Sequence, residues 1–213
     1  MKATNIALAK GRLENKAIKI FEGIGSDCSE FREKGRKLIL HDKINNLDFI
    51  LAKPLDVLTY VEHGVADIGI VGRDTLLEYS NQFYEMVDLK VGKCKLVVAS
   101  VPECRLYEGY TRKTIATKYP EIARRYFREK GQDVEIIKME SSVELAPILG
   151  LADAIVDIVE TGTTLQENGL SIIEEICDIS AWVVVNKVSM KMKKNKIYKL
   201  INKIRNYVEE KSE

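Results

Sequence analysis

GLADAIVDIVETGTTL, residues 150–165, reads as a helix end, a buried strand, and a glycine turn that opens another helix. Gly150 suits a helix C-terminus, because a residue without Cβ enters left-handed backbone at little cost. Ala154 to Val159 is an apolar run of strand length, and Thr161-Gly162-Thr163-Thr164 breaks it. The same order occurs earlier. Gly64-Val65-Ala66-Asp67 follows a helical stretch, precedes IGIVG, and leads to Thr75-Leu76. Helix, G-x-A-D, strand, glycine turn and T-L therefore occur twice. The repeat predicts two similarly built lobes with a cleft between them; a common helix-to-strand connection used twice would leave the same trace.

The rest of the chain alternates in the same way. Asn5 to Ala9, Lys37 to Leu40, Leu47 to Ala52, Ile68 to Val71, Val91 to Val101, Thr114 to Thr117, Val134 to Lys138 and Ala181 to Asn186 read as strands. Helical spacing or start signals mark Leu13 to Ile24, Pro54 to His63, Arg73 to Tyr79, Pro120 to Lys130, Val143 to Leu149 and about Asn195 to Glu210. This order predicts α/β architecture, each lobe a mostly parallel sheet flanked by helices.

Of the 213 residues, 46% are hydrophobic, enough for one large domain or two small lobes with real cores. The 33 basic and 32 acidic residues leave a net charge of +1, which is no footprint for bulk nucleic-acid or membrane binding. Any anionic ligand is then held by a few placed groups. The apolar run Ile6 to Ala9 is too short for a signal-peptide core, and no stretch approaches membrane-spanning length. Cys28, Cys94, Cys104 and Cys177 form no CxxC pair, so reduced thiols in the cytoplasm are the simple expectation. With only His41 and His63, a dedicated zinc site or a Ser-His-Asp triad is not expected.

Four places carry candidate chemistry. In DIVETGTTL the strand delivers Asp157 and Glu160 toward its carboxyl end. Gly162 then lets the backbone pass close to a ligand. The amides and hydroxyls of Thr161, Thr163 and Thr164 can donate to phosphate oxygens, helped by the helix N-terminus. The acids repel phosphate but accept hydrogen bonds from ribose hydroxyls, so the combination points to a sugar phosphate. An ordinary helix cap, with Thr161 or Thr163 as N-cap, is the alternative. Lys10-Gly11-Arg12 ends the first strand, where ligands sit in open α/β sheets; two cations and a glycine there suit a polyphosphate or a solvated basic turn. Arg36 and Lys53 each precede or end a strand, and alone either is an ordinary surface cation.

The run ELAPILGLADAIVDIVETGTTL, Glu144 to Leu165, resembles the signature of the ATP phosphoribosyltransferases. That pattern has Glu144, a glycine six residues on, a small residue two later, the strand aspartate, two aliphatics and T-G-x-T-L. ALAKGRL near the start, DVLTYVEHGVADIGIVGRDTL and IATKYP also match, so the resemblance covers nearly the whole chain. It implies a two-lobed fold of the type II periplasmic-binding-protein kind. Lobe I would comprise residues 1–90 plus 179–213, and lobe II residues 91–178. The active site would lie in the cleft.

The implied reaction transfers the phosphoribosyl group of phosphoribosyl pyrophosphate to N1 of ATP, the first step of histidine biosynthesis. Adenine N1 is already nucleophilic, so the protein need only position its substrates and stabilise charge. By resemblance, Thr161, Gly162, Thr163 and Thr164 bind the 5′-phosphate, while Asp157 and Glu160 orient the ribose. Glu144 belongs to the same substrate site. Arg12 and Arg36 stabilise the departing pyrophosphate, with Lys10, Gly11 and Lys53 beside them. At Lys53 the family often has arginine. Mg2+ would arrive with phosphoribosyl pyrophosphate rather than in a protein cage. The chain ends at Glu213, so the expectation is the short form, without a C-terminal regulatory domain. Short forms assemble with a regulatory subunit resembling histidyl-tRNA synthetase, here expected as a hetero-octamer.

Two other classes stay open on the residues. A purine- or pyrimidine-type phosphoribosyltransferase has a similar turn, but usually two adjacent acids before it; Asp157 and Glu160 are separated by two aliphatics. A non-catalytic two-lobed solute binder is generally exported, and no export signal is legible.

Overall fold

A computed structural model describes residues 3–79, 83–109 and 111–211. Met1, Lys2, Ser80, Asn81, Gln82, Ser212 and Glu213, counted above with lobe I, and Tyr110, counted with lobe II, lie outside the described residues. In chain order the first elements are β1 (Thr4–Ala9), α1 (Arg12–Gly23), α2 (Ser29–Arg32), β2 (Ile39–Asp42), β3 (Leu47–Ala52), α3 (Pro54–Glu62), β4 (Ile68–Gly72), α4 (Arg73–Glu78) and β5 (Phe83–Asp88). Next come β6 (Cys94–Ser100), β7 (Lys113–Thr117), α5 (Pro120–Glu129), β8 (Val134–Lys138), α6 (Leu145–Ile148), β9 (Ala154–Val159) and α7 (Thr163–Glu167). The chain finishes with β10 (Ser171–Ile179), β11 (Ala181–Asn186), α8 (Lys187–Met192) and α9 (Lys194–Glu210).

The chain divides into two compact units: Met1–Leu76 with Ser80–Gly92 and Ser180–Glu213, and Leu77–Tyr79 with Lys93–Ile179. The first holds a sheet ordered β2-β3-β1-β4-β11-β5, the second a sheet ordered β10-β6-β9-β7-β8. In the first, β3, β1 and β4 run parallel, while β11 is antiparallel to β4 and β5. In the second, β8, β7 and β9 run parallel, while β6 is antiparallel to β9 and β10. Read from the parallel side, five strands of each sheet follow one scheme. The sheets are thus mixed, where the sequence predicted mostly parallel ones. The βα alternation did mark the parallel trio in each; the local hairpin of β2 with β3, and β11, β6 and β10 brought in from distant chain segments, supply the antiparallel pairs.

Alternation along β1 shows why this sequence makes a two-faced sheet. Ile6 and Leu8 join a core with Phe21 of α1, Phe49 of β3 and Ile197, Ile201 and Ile204 of α9. Ala7 and Ala9 face the other way, against Val57, Leu58 and Val61 of α3. That face is built from small residues because α3 lies close. A Cβ on Gly69 would come within 2.7 Å of the Val61 side chain. In the second unit α5 covers one face through Ile122 and Phe127, and Ala146 of α6 and Leu165 of α7 help cover the other. Each fully buried Phe, Ile or Leu contributes roughly 1.5–3 kcal/mol.

The repeated G-x-A-D is the same device in both sheets. Gly64 and Gly150 sit at φ 69° and 71°. The Asp67 amide donates to the Asn5 carbonyl (2.8 Å), and its carboxylate accepts from the Asn5 amide (3.0 Å). The Asp153 amide donates to the Thr114 carbonyl (2.8 Å), and its carboxylate accepts from the Thr114 amide (2.7 Å). Each aspartate closes onto the start of the neighbouring parallel strand and so fixes register.

Candidate active site

Strand β9 decides what the Thr161–Thr164 turn sees. Ile155 and Val159 alternate onto the face covered by α6 and α7, and Asp157 lies on that face between them. Asp157 is half-buried, and its carboxylate accepts from the Ile158 amide at 2.8 Å. Burial pushes its carboxyl up to about 6; the Ile158 hydrogen bond opposes this, Glu144 adds to it and Lys118 opposes it. Glu144, half-buried at the start of α6, is therefore part of the same electrostatic neighbourhood. Glu160, exposed, follows directly on β9.

Gly162 occupies left-handed backbone (φ 81°) at the head of α7, and no side chain caps that helix. The two hydroxyls of Thr161 and Thr163 lie 2.9 Å apart, and the Thr163 amide reaches Thr161 Oγ1 only at 3.4 Å. The ordinary cap considered from the sequence is not formed. Thr161, Thr163 and Thr164 are exposed. They stand beside a cavity of about 380 Å³ lined by Glu160, Thr161, Gly162, Leu165, Gln166 and Lys95, among others. Because α7 has only five residues, its dipole is small. The help expected from a helix terminus shrinks accordingly, and what the turn offers is its individual amides and hydroxyls.

In the first unit the carboxyl ends of β1 and β3 lie side by side. Ala9 pairs with Ala52, and the Lys10 amide donates to the Ala52 carbonyl at 2.9 Å. Lys10-Gly11-Arg12 and Lys53 therefore emerge at one end of the sheet. Arg36 comes to that end from the other direction. Strand β2 runs antiparallel to β3, and the Leu51 amide donates to Leu38, two residues beyond Arg36. Gly11 takes φ 99° and ψ −143°, a conformation open to glycine, and heads the 12-residue α1 without any side-chain cap. Buried Glu14 in the first turn is paired with Lys34.

Helix α5 starts after β7 as α1 starts after β1, and there the helix end is closed. The buried Glu78 carboxylate accepts from the amides of Glu121 (3.0 and 3.1 Å) and Ile122 (3.1 Å). One unit fills this position with its own carboxylate; the other leaves α1 without a side-chain cap, with Lys10 and Arg12 alongside. Another cation at the first unit's strand ends, Arg73, follows β4 directly and packs on Trp182 and Glu85. It lies 4.5 Å over the Trp182 ring and 3.0 Å from Glu85.

The structure thus groups Asp157, Glu160, Thr161, Gly162, Thr163, Thr164 and Glu144 in one unit, and Lys10, Gly11, Arg12, Arg36 and Lys53 in the other. Two residues were not singled out from the sequence. Lys118 follows β7 as Lys10 follows β1, and ALAK beside IATK was the available signal. Lys95 carries no sequence signal at all; only the pairing of β6 with β9 brings it to the turn.

The profile of one family, HisG: ATP phosphoribosyltransferase, matches residues 53–206. The chain is 65% identical over 211 residues to an ATP phosphoribosyltransferase of Clostridium acetobutylicum, covering 99% of this chain and 98% of that one. It is 61% identical to one of Bacillus cytotoxicus, covering 96% and 97%. Among solved structures it is similar to the ATP phosphoribosyl transferase (HisG:HisZ) complex from Thermotoga maritima. There the TM-score is 0.82, with 37% identity over 97% of this chain and 99% of that chain. The periplasmic aliphatic sulphonate binding protein SsuA of Escherichia coli shares the fold, with TM-score 0.61 and 10% identity over 98% and 73%.

Proposed function

The chain belongs to the ATP phosphoribosyltransferase family, and from that premise we propose how its own residues carry the family's reaction. Phosphoribosyl pyrophosphate gives up its anomeric carbon to N1 of ATP. Phosphoribosyl-ATP forms, and pyrophosphate departs with the electrons of the broken C–O bond. The observation that carries the assignment of roles is the uncapped Thr161–Thr164 turn following the half-buried Asp157.

The turn holds the 5′-phosphate through amides and hydroxyls, while Asp157 and Glu160 accept from ribose hydroxyls and Glu144 completes that wall. Arg12 and Arg36 meet the charge growing on the leaving pyrophosphate, since a planar guanidinium grips two oxygens at once. Lys10, Gly11 and Lys53 supply the remaining contacts. The lysine at position 53 gives a point charge where arginine would give a fork. Mg2+ enters as part of the substrate. The phosphate oxygens and water suit it, and among the described residues no three His, Cys, Asp or Glu side chains gather as a ligand set.

Among the described residues no helix is long and apolar enough to cross a membrane, and the four cysteines form no disulfide with one another. A cytoplasmic enzyme accords with both. The Thermotoga maritima relative is a HisG:HisZ complex. A regulatory subunit of that kind, in a hetero-octamer, is the proposed assembly here. The test incubates the chain, alone and with such a subunit, with ATP, phosphoribosyl pyrophosphate and Mg2+, following ultraviolet absorbance and pyrophosphate release. Consumption of ATP is expected. Ribosylation of a free base with ATP untouched would overturn the reading.

A further inference from the structure

We propose that Lys95 is a phosphate-binding residue of the Thr161–Thr164 turn, kept in reserve by Glu175 and handed over when a 5′-phosphate arrives. The proposal rests on the reading of that turn given above and adds a cation that neither the sequence motifs nor the family signature contains.

Three observations carry it. The first is position. Lys95 pairs with Val159 and Val97 with Asp157 across β6 and β9, so the Lys95 side chain emerges on the face of Asp157, next to where β9 gives way to the turn. The second is the cavity. Lys95 lines it together with Glu160, Thr161, Gly162 and Gln166, and among its lining residues Lys95 is the one cation and Glu160 the one anion. A phosphate dianion there would otherwise meet only neutral donors, a short helix and a carboxylate. The third is the partner. Lys95 Nζ lies 2.7 Å from both oxygens of Glu175, and the two side chains are 48% and 55% exposed. A half-exposed pair of this kind contributes little net stability and exchanges readily. A phosphate dianion carries more charge than the carboxylate, so the ammonium gains by moving, while Glu175 returns to water.

Ribose 5-phosphate is the probe, because it carries the phosphate that the turn would hold and lacks the pyrophosphate. Calorimetry would measure its affinity, and separately that of inorganic pyrophosphate, for the intact chain and for Lys95→Ala, Lys95→Arg and Glu175→Gln. Lys95→Ala should weaken ribose 5-phosphate by about tenfold or more, as expected for a lost charge-assisted bond, and leave pyrophosphate within about twofold. Lys95→Arg should restore most of the affinity. Glu175→Gln should tighten ribose 5-phosphate, because the lysine is released beforehand. In steady state, Lys95→Ala should raise KM for phosphoribosyl pyrophosphate more than it lowers kcat. Unchanged ribose 5-phosphate affinity in Lys95→Ala would overturn the proposal. So would equal weakening of both ligands, or weakening by Glu175→Gln, either of which marks the pair as a mere strap between β6 and β10. If the unaltered chain fails to bind ribose 5-phosphate at all, the turn itself has been misread, which is a separate failure.

Discussion

Asp157 is held where ionisation is disfavoured, and that makes it costly to the fold. Its carboxyl titrates near 6 in the folded chain, against an ordinary value of 3.8. Between those values the folded chain keeps a proton that the unfolded chain has released, so stability falls as pH rises through this window. Asp157→Asn removes the penalty. The variant should melt higher than the parent above about pH 6, by on the order of 1–2 kcal/mol after allowing for solvent screening, and the gain should vanish below about pH 4. Turnover should fall at the same time. A calorimetric series showing no gain at high pH would remove the burial argument. Arg12→Ala should lower kcat by about 100-fold with a smaller change in KM, as for a lost transition-state donor; a raised KM at constant kcat would refute the leaving-group role. Gly162→Val forces a β-branched residue to φ 81°, and should abolish binding of phosphoribosyl pyrophosphate; unchanged affinity by calorimetry would take the turn out of the site. These positions were legible in the sequence because each sits in a contiguous run with its own backbone demand. Lys95 was not, since its relation to Thr161 exists only through strand pairing.

Strands rich in β-branched and aliphatic residues announced themselves. Leu47–Ala52, Val134–Lys138, Ala154–Val159 and Ala181–Asn186 have the bounds that the apolar runs implied. The misses are at the margins. Strands β5 and β10 were not read, because FYEMVD and SIIEEICDI mix charges into half-exposed edge strands. The run Val91 to Val101 was read as one strand, whereas β6 begins only at Cys94, after Gly92 turns at φ 66°. The helix expected over Val143 to Leu149 is confined to Leu145–Ile148. Short α2 and α8 carry too little periodicity to register. At this scale α5 offers a test. Its first-turn amides depend on Glu78, a carboxylate brought from a different helix. Glu78→Ala should cost about 1–2 kcal/mol, the range of a lost helix cap, measured by denaturant midpoint at constant slope. No change in midpoint would mean that the contact is incidental.

At the scale of the molecule, one architectural scheme is used twice with unequal reinforcement. Asp67 and Asp153 perform the same closure. Asp67 is buried and also takes the Lys193 ammonium at 2.7 Å, while the Asp153 side chain is 37% exposed with Lys113 at 3.9 Å. Asp67→Ala should therefore destabilise by roughly 2–3 kcal/mol and Asp153→Ala by less, about 1 kcal/mol. With no shared partner, the double variant should be additive within about 0.5 kcal/mol; a larger deviation would show the two closures to be coupled. The order of strands carries one more implication, for the chain as it is made. Strand β11 lies between β4 and β5, and β5 joins its sheet only through β11. The unit begun first on the ribosome must wait for residues 181–186 before its sheet can close, while every strand of the other unit has been translated by Ile179. Birth order and completion order are reversed: the half of the protein that starts with the N-terminus is the last to finish.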